Sequence, residues 1–339
     1  MKKKTTIKEV AEKVGMSVTT VSLVLNDKAD NIPESTRAKI KQAAAELNYQ
    51  PNYSARSLLT GKTNTIGIII PDISNSFFSE IVRRTQIELN KYGYDIILCN
   101  SEEQMENDIR YINWLGGKKV DGLILTLSAQ SMEEANRGKV GSLLESLDIP
   151  YIFLDRYIPG DAPKVFVDNE ASGRKVAQML YEAGHRKIGV ITGQMCLNSS
   201  ENRLSGVKKQ LEEHGVSLDD GNIYYGKYNV RTGRDGAAAL IKNGVTAIFA
   251  FNDLQAYGVI SYLKENGVRV PEDVSVVGFD DDEFSVIVEP KLTTVKQPIH
   301  EISLSICKTM LAVLNGESYD IQTKLATELV LRDSVKVIA

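Results

Sequence analysis

The spacing of apolar and polar positions changes character near residue 64. Before that point it is helical. Residues 6–26 read T-I-K-E-V-A-E-K-V-G-M-S-V-T-T-V-S-L-V-L-N, in which Ile7, Val10, Ala11 and Val14 recur at i, i+3, i+4 and i+7, the stripe of one short helix. Thr6 and Glu9 stand at capping-box spacing and mark its start. Gly15 permits a tight turn, and Ser17 can cap a second helix. In that helix Val21, Val24 and Leu25 form the inner face, and Val18, Thr19, Ser22 and Leu23 look outward. Two short helices joined by a glycine-containing turn make a helix-turn-helix, whose second helix enters the DNA major groove. A helical hairpin with no nucleic-acid role is the plainer reading of this stretch alone. Ile40, Ala43, Ala44 and Leu47 predict a third helix, opened near Pro33 and closed by Asn48.

Beyond residue 64 the pattern is one of buried strands alternating with helices. Residues 66–70 (I-G-I-I-I) form a continuous apolar run, as in a parallel strand covered on both faces. Similar runs occupy 94–99, 122–125 and 150–154, with helical stretches near 77–91, 105–116 and 141–147. A second series has strands at 187–191, 223–225, 247–251 and 274–279, and helices near 202–214, 230–242 and 253–266. The expected fold is α/β: two doubly wound halves, with a crossover around 166–168 and a return after Leu292, behind an all-α head. Between head and body, Pro51 disfavours helix at Gln50, and residues 53–59 predict about two helical turns, too few to be stable alone in water. The G-K-T at 61–63 looks like the end of a phosphate-binding loop, but Arg56 stands where that loop requires glycine.

Charge distribution sharpens the division. The 339-residue chain is −4 overall. Residues 1–63 carry 11 Lys and Arg against 6 Asp and Glu, a net of +5, which leaves −9 for the rest. A basic head on an acidic body confines contact with phosphate to the head. At 42% hydrophobic the chain can build real cores, yet no apolar run approaches the ~18 residues of a membrane span, and the start lacks the apolar segment of a signal peptide. Cys99, Cys196 and Cys307 are too scattered for a metal site and odd in number, which fits a reducing cytoplasm.

Candidate chemistry gathers at the strand ends. The run ending at Ile70 is followed by Pro71-Asp72, Cys99 by Asn100, Leu154 by Asp155-Arg156, Phe251 by Asn252-Asp253 and Phe279 by Asp280. Ligands of open α/β sheets sit outside the carboxyl ends of the strands. A cleft between two such halves is therefore rimmed by carboxylates, amides and arginine, groups that exchange paired hydrogen bonds with sugar hydroxyls. Phe77, Phe78 and Tyr228 offer flat apolar faces to a sugar ring or a base. Any one of these Asp residues is more often a helix cap or turn residue, and it is the repetition that argues for a cleft.

Several motifs, in order along essentially the whole chain, resemble bacterial repressors of the lactose/galactose repressor family. They are T-I-K-E-V-A, V-T-T-V-S, L-N-Y-Q-P-N, A-R-S-L, P-D-I-S-N-S-F-F-S-E-I, F-L-D-R, A-G-H-R-K-I-G, E-N-R-L-S-G, F-N-D-L-Q-A-Y-G, V-G-F-D-D and L-V-L-R-D-S. The resemblance implies three parts. Residues 1–50 would be the helix-turn-helix domain and 51–63 a hinge helix and linker. Residues 64–339 would be a periplasmic-binding-protein-like effector and dimerisation domain, its N-subdomain about 64–166 and 296–325 and its C-subdomain about 167–295 and 326–339.

For DNA, the resemblance implies contacts from Thr6, Ser17, Val18, Thr19, Thr20, Ser22, Leu23, Asn26, Tyr49, Asn52, Ser54, Ala55 and Arg56. It also implies that Leu58 is wedged into the minor groove to bend the operator. An ordinary tether with Leu58 tucked against a neighbouring domain is the alternative. For the effector, it implies Asp72, Asn75, Phe77, Phe78, Asp155, Arg156, Arg203, Tyr228, Asn252, Asp253 and Asp280, with His185 structural. The implied partners are a palindromic operator, a second copy of the chain, and a sugar or sugar phosphate, with a purine as alternative. A phosphoprotein corepressor stays open, and no cofactor or membrane is implied. With no leucine heptad after Ala339, a dimer rather than a coil-linked tetramer is expected, in the bacterial cytoplasm on the nucleoid. One departure stands out: Val18 and Leu23 are apolar where such proteins often carry a large polar or basic base reader. Readout would then lean on Thr19, on methyl contacts to thymine and on the minor-groove wedge.

Rival classes fit less well. His185, His214 and His300 sit in neither triad nor metal-ligand spacing, and the triplet Asp280-Asp281-Asp282 is weak evidence for Mg²⁺. A transport-type sugar binder would share the body but have a secretion signal and no DNA-binding head.

Overall fold

A computed structural model describes residues 5–25, 29, 31–49 and 61–338. Asn26 and the anticipated hinge segment, with Asn52, Ser54, Ala55, Arg56 and Leu58, lie outside the described residues. The chain divides into two compact units, 1–63 and 64–339.

The first unit is three helices, α1 (Ile7–Val14), α2 (Val18–Leu25) and α3 (Glu34–Glu46). The capping box forms: Glu9 N donates to Thr6 Oγ1 at 3.4 Å and Thr6 N donates to Glu9 Oε2 at 2.7 Å. Gly15 ends α1 in the left-handed region at φ 69°, and Ser17 Oγ accepts from Thr20 N at 3.0 Å to start α2. Asn48 follows α3 at φ 49°, with Asn48 N donating to Ala45 O and Tyr49 N to Ala44 O, a Schellman closure. Val10, Val14, Val21, Val24, Ile40 and Ala43 form the core, and the Lys13–Glu46 ion pair at 2.6 Å ties α1 to the end of α3.

The second unit holds two six-stranded sheets. The first contains β1 (Thr65–Ile70), β2 (Asp95–Asn100), β3 (Gly122–Leu125), β4 (Tyr151–Leu154) and β5 (Lys164–Val167). The second contains β6 (Ile188–Ile191), β7 (Ile223–Tyr224), β8 (Ala247–Ala250), β9 (Ser275–Asp280) and β10 (Thr293–Lys296). Each takes its sixth strand from the C-terminal region: β11 (Gln322–Leu325) pairs parallel with β5, and β12 (Glu328–Val330) antiparallel with β10. The orders, β11-β5-β4-β3-β1-β2 and β12-β10-β9-β8-β6-β7, correspond strand for strand apart from the direction of the sixth, with a switch point beside the first strand of each series.

The chain passes between the sheets three times: after β5, after β10 and between β11 and β12. The helix Ile299–Asn315 follows β10 and packs its Ile302, Ile306 and Met310 into the first lobe's core. A fourth link is the turn before the helix Asn198–Glu213. Its Leu197 is buried in the first lobe's second core cluster, while Cys196 O accepts from Arg137 Nη2 at 3.2 Å and Asn198 Oδ1 accepts from Tyr157 N at 3.2 Å.

Several elements escape the apolar-run reading: the strands β5, β10, β11 and β12, and two of the longer helices. The helix before Ile149 begins at Glu134, well ahead of the expected 141. The helix Asn169–Glu182 was not anticipated, because the first half of its buried face is Asn169, Ser172 and Gly173 rather than apolar residues. Those small residues serve close packing. A Cβ on Gly173 would lie 2.2 Å from Arg203 O, and one on Gly206 would lie 2.1 Å from Glu170 O. The pair Gly233 and Gly258 lets the helices Val230–Leu240 and Asp253–Glu265 approach in the same way.

This packing predicts that Gly173→Ala, which must push apart two helix backbones, destabilises the chain by about 1–3 kcal/mol in urea denaturation. Gly138→Ala, on an exposed helical position with nothing within 4 Å, should be neutral or slightly stabilising.

Candidate functional site

The carboxyl ends of strands from both sheets open onto one cleft. Asn75, Phe77, Phe78, Asp155 and Arg156 line it from the first lobe. Ser199, Arg203, Tyr228, Asn252 and Asp280 line it from the second, and Gln297 from the crossover after β10.

Local structure aims these groups. Asn75 caps its helix, Oδ1 accepting from Phe77 N at 3.0 Å, and so presents both phenylalanines at the helix start. Asn252 likewise caps the Asp253–Glu265 helix, its Oδ1 accepting from Gln255 N at 3.0 Å, while its buried Nδ2 has no protein partner. With the oxygen spent on the backbone, only a donor is left for the cleft. Arg203 is held by Nε donating to Asn169 Oδ1 at 2.7 Å and Nη1 donating to Phe251 O, its guanidinium 3.3 Å from the Phe279 ring centroid. Arg156 Nη1 donates to Glu103 Oε2 at 2.9 Å and Leu127 O at 3.0 Å, and its buried Nε has no protein partner.

The carboxylates are strained in two senses. Asp155 and Asp280 have positive φ, 59° and 122°, conformations that non-glycine residues adopt at a cost. Burial raises both carboxyls above the ordinary range, against the pull of Arg156 and Arg203 on Asp155 and of Arg203 and Gln297 on Asp280. Asp280 is pushed up to about 7, with Asp282 and Asp155 adding to the rise. Gln297 Nε2 donates to Asp280 Oδ1 at 2.7 Å, and its buried acceptor Oε1 has no protein partner.

Two anticipated cleft residues are not in its wall. Asp72 Oδ1 accepts from Ser74 N and Ser74 Oγ at 2.8 and 2.7 Å, closing a turn before the helix. Asp253 lies behind the wall: it accepts from Thr294 Oγ1 at 2.6 Å and from Asp282 N at 2.9 Å, fixing the loop that follows Asp280. Asp281 and Asp282 are also engaged, Asp281 with Arg332 at 2.6 Å and Asp282 with the Tyr257 hydroxyl and, at 3.5 Å across the lobes, Ser76 Oγ. His185 is fully buried between Thr246 Oγ1 and Lys336 O. Ser199 and Gln297 were missed. Gln297 follows β10, T-T-V-K, a strand that is not an apolar run and so gives no strand end to read from the sequence.

In the head unit, Thr6, Ser17 and Thr20 are engaged in capping, and Tyr49 packs half-buried against the core. Val18, Thr19 and Leu23 are exposed on α2, with Ser22 on the same face. Among the described residues no helix is long and apolar enough to cross a membrane.

Comparisons with known proteins converge on these two units. Residues 6–52 match the model of bacterial regulatory proteins of the lacI family, and residues 177–335 that of a periplasmic binding protein-like domain. The chain is 37% identical over 336 residues to the HTH-type transcriptional regulator RegA of Clostridium saccharobutylicum, covering 97% of this chain and 99% of that protein. It is 35% identical over 338 residues to the HTH-type transcriptional repressor PurR of Vibrio atlanticus, covering 98% and 99%. A crystal structure of the Lac repressor dimer bound to operator and the anti-inducer ONPF superposes with a TM-score of 0.88 at 26% identity, covering 98% of this chain and 100% of that one. With a helix-turn-helix head and a two-lobed receptor matched end to end, the chain belongs to the lacI family of bacterial regulatory proteins and is a DNA-binding transcriptional repressor controlled by a small-molecule effector.

Proposed function

We propose that the cleft between the lobes is the effector site, that its ligand is a sugar or sugar phosphate, and that the chain acts as a homodimer on a palindromic operator. The observation that carries the reading is the convergence on one cleft of two carboxylate–guanidinium neighbours, Asp155 with Arg156 and Asp280 with Arg203, beside Phe77, Phe78 and Tyr228. A hydroxyl donates and accepts at once, so each such pair suits one sugar hydroxyl, and the aromatic faces suit the ring's C–H surface. The role is regulatory rather than enzymatic. On the head, Val18, Thr19, Ser22 and Leu23 of α2 meet the base edges, with methyl contacts in place of a basic reader. Leu58, outside the described residues, supplies the minor-groove wedge. Ligand binding shifts the lobes' closure equilibrium and, through the linker, the operator affinity.

Three outcomes test this. Residues 64–339 alone should bind the effector by calorimetry yet give no operator shift in gels, and loss of both would contradict independent units. Arg203→Ala should lower effector affinity at least tenfold while operator binding without effector persists; an undiminished response would place the ligand elsewhere. The third concerns pH. An unfolded Asp ionises near ~3.9, whereas Asp280 in the fold does so at about 7. The folded state therefore keeps the proton longer, and the stability this group contributes is full below pH ~4 and lost as pH rises through 7. Asp280→Asn should raise the melting temperature at pH 8 by roughly 2–6 °C, with the gain vanishing near pH 4. A gain that grew on acidification would contradict a raised carboxyl.

A further inference from the structure

We propose that Glu103 is a positioning residue that couples the cleft to the contact between the lobes. One of its carboxylate oxygens holds Arg156 in the cleft wall and, at the same time, the peptide on which a turn of the second lobe is seated. That an occupied cleft acts through this link rests on the reading of the cleft as the effector site; the link itself does not.

Glu103 does not line the cleft; it holds a residue that does. Its Oε2 accepts from Arg156 Nη1 at 2.9 Å and from Ala129 N at 2.6 Å. Neutralising the guanidinium would need only the first of these bonds, and Asp155 is already its neighbour. The backbone is bent to supply both. Glu102 and Glu103 stand in succession at φ 54° and 57°, the left-handed region that costs non-glycine residues, and Glu103 N donates to Pro71 O at 3.1 Å.

The Ala129 peptide is engaged on both sides. Its N–H is taken by Glu103, and its carbonyl accepts from Cys196 Sγ of the second lobe at 3.3 Å. The short helix Ala129–Met132 meets the same turn at its other end: Arg137 Nε donates to Met132 O at 2.5 Å, and Arg137 Nη2 donates to Cys196 O at 3.2 Å. Leu197, next in the turn, is fully buried in the apolar cluster that includes Leu127, Ala129 and Met132. Ser128 N and Ser131 Oγ donate to the buried Asp108 at 2.9 and 2.6 Å. The seat is thus tied to the interior of the first lobe through Asp108 and to the cleft wall through Glu103.

Arg156 keeps one donor in reserve. Its buried Nε has no protein partner, so an acceptor entering the cleft can bond the same guanidinium that Glu103 holds. A guanidinium is planar and rigid, and a shift toward a ligand at Nε is passed on to Nη1. The Glu103 oxygen cannot follow that shift without lengthening its bond to Ala129 N, and the seat of the turn moves or loosens with it.

The link can be tested without a ligand, with Cys196 as the reporter. Burial holds its thiol above the ordinary range, so it reacts slowly while the turn is seated. Cys99 and Cys307, buried in the first lobe, report wider opening. The full chain is treated with N-ethylmaleimide, and the labelling of each cysteine is followed by peptide mass spectrometry. Glu103→Gln should speed Cys196 labelling at least fivefold with the Cys99 and Cys307 rates unchanged. Glu103→Asp, which keeps the charge but is one methylene too short to reach both donors, should speed it at least threefold. Arg156→Met should also speed it, and adding that change to Glu103→Gln should give no further gain, because the two act through one bond. An unchanged Cys196 rate in Glu103→Gln, full rescue by Glu103→Asp, or multiplying effects of Arg156→Met and Glu103→Gln would overturn the link. Should Glu103→Gln label all three cysteines, Glu103→Asp decides alone: a faster Cys196 with the other two unchanged supports the link, and a rate equal to that of the unmodified chain overturns it. Each of these failures leaves the effector reading intact, since that reading is tested by the response of Arg203→Ala.

Discussion

The constraint on which the receptor depends is that the carboxyl ends of two like-ordered sheets share one cleft while the chain crosses between them three times. Each lobe has its own cores, and the three crossings together with the Leu197 anchor join the two. Polar groups at strand ends are costly to bury, and here the cost is concentrated in the cleft wall. Asp155 and Asp280 combine positive φ with raised carboxyls, and Arg156, Asn252 and Gln297 leave buried atoms unpartnered. The rest of the unit holds this arrangement in place. Asp253 beneath the sheet ties the loop after Asp280, and Gly278 makes room for it, since a Cβ there would meet Asp253 Oδ1 at 2.1 Å.

The sequence made the head legible because its helices are governed by local rules. The Thr6–Glu9 box, the turn at Gly15, the Ser17 cap and the left-handed Asn48 are each determined within a few residues. In the body, the first four strands of each series read well because parallel strands buried on both faces leave continuous apolar runs, whereas β5, β10, β11 and β12 are not such runs. The helix Asn169–Glu182 was hidden as well, because the demand on its inner face was close approach through Gly173 to Arg203 O, which selects small residues rather than apolar ones.

Much of the cleft wall was also visible at the strand ends, and Asp72 and Asp253 depart from it for one physical reason. A strand-end Asp can face the ligand, close a turn or brace the next loop, and residue type does not separate these uses. Asp155 and Asp280 line the cleft, Asp72 closes a turn and Asp253 braces the next loop. Gln297 was hidden for a different reason: β10 is polar enough to escape notice as a strand, yet it carries the chain from one lobe to the other.

If closure of the cleft and grip on the operator are one equilibrium, their coupling must be reciprocal. The most direct test measures both sides of that cycle in the full chain: operator affinity with and without a saturating cleft ligand, and affinity for that ligand with and without operator DNA. The account predicts the same factor in both, at least fivefold. A factor of one on both sides, with ligand and DNA each binding normally, would contradict it.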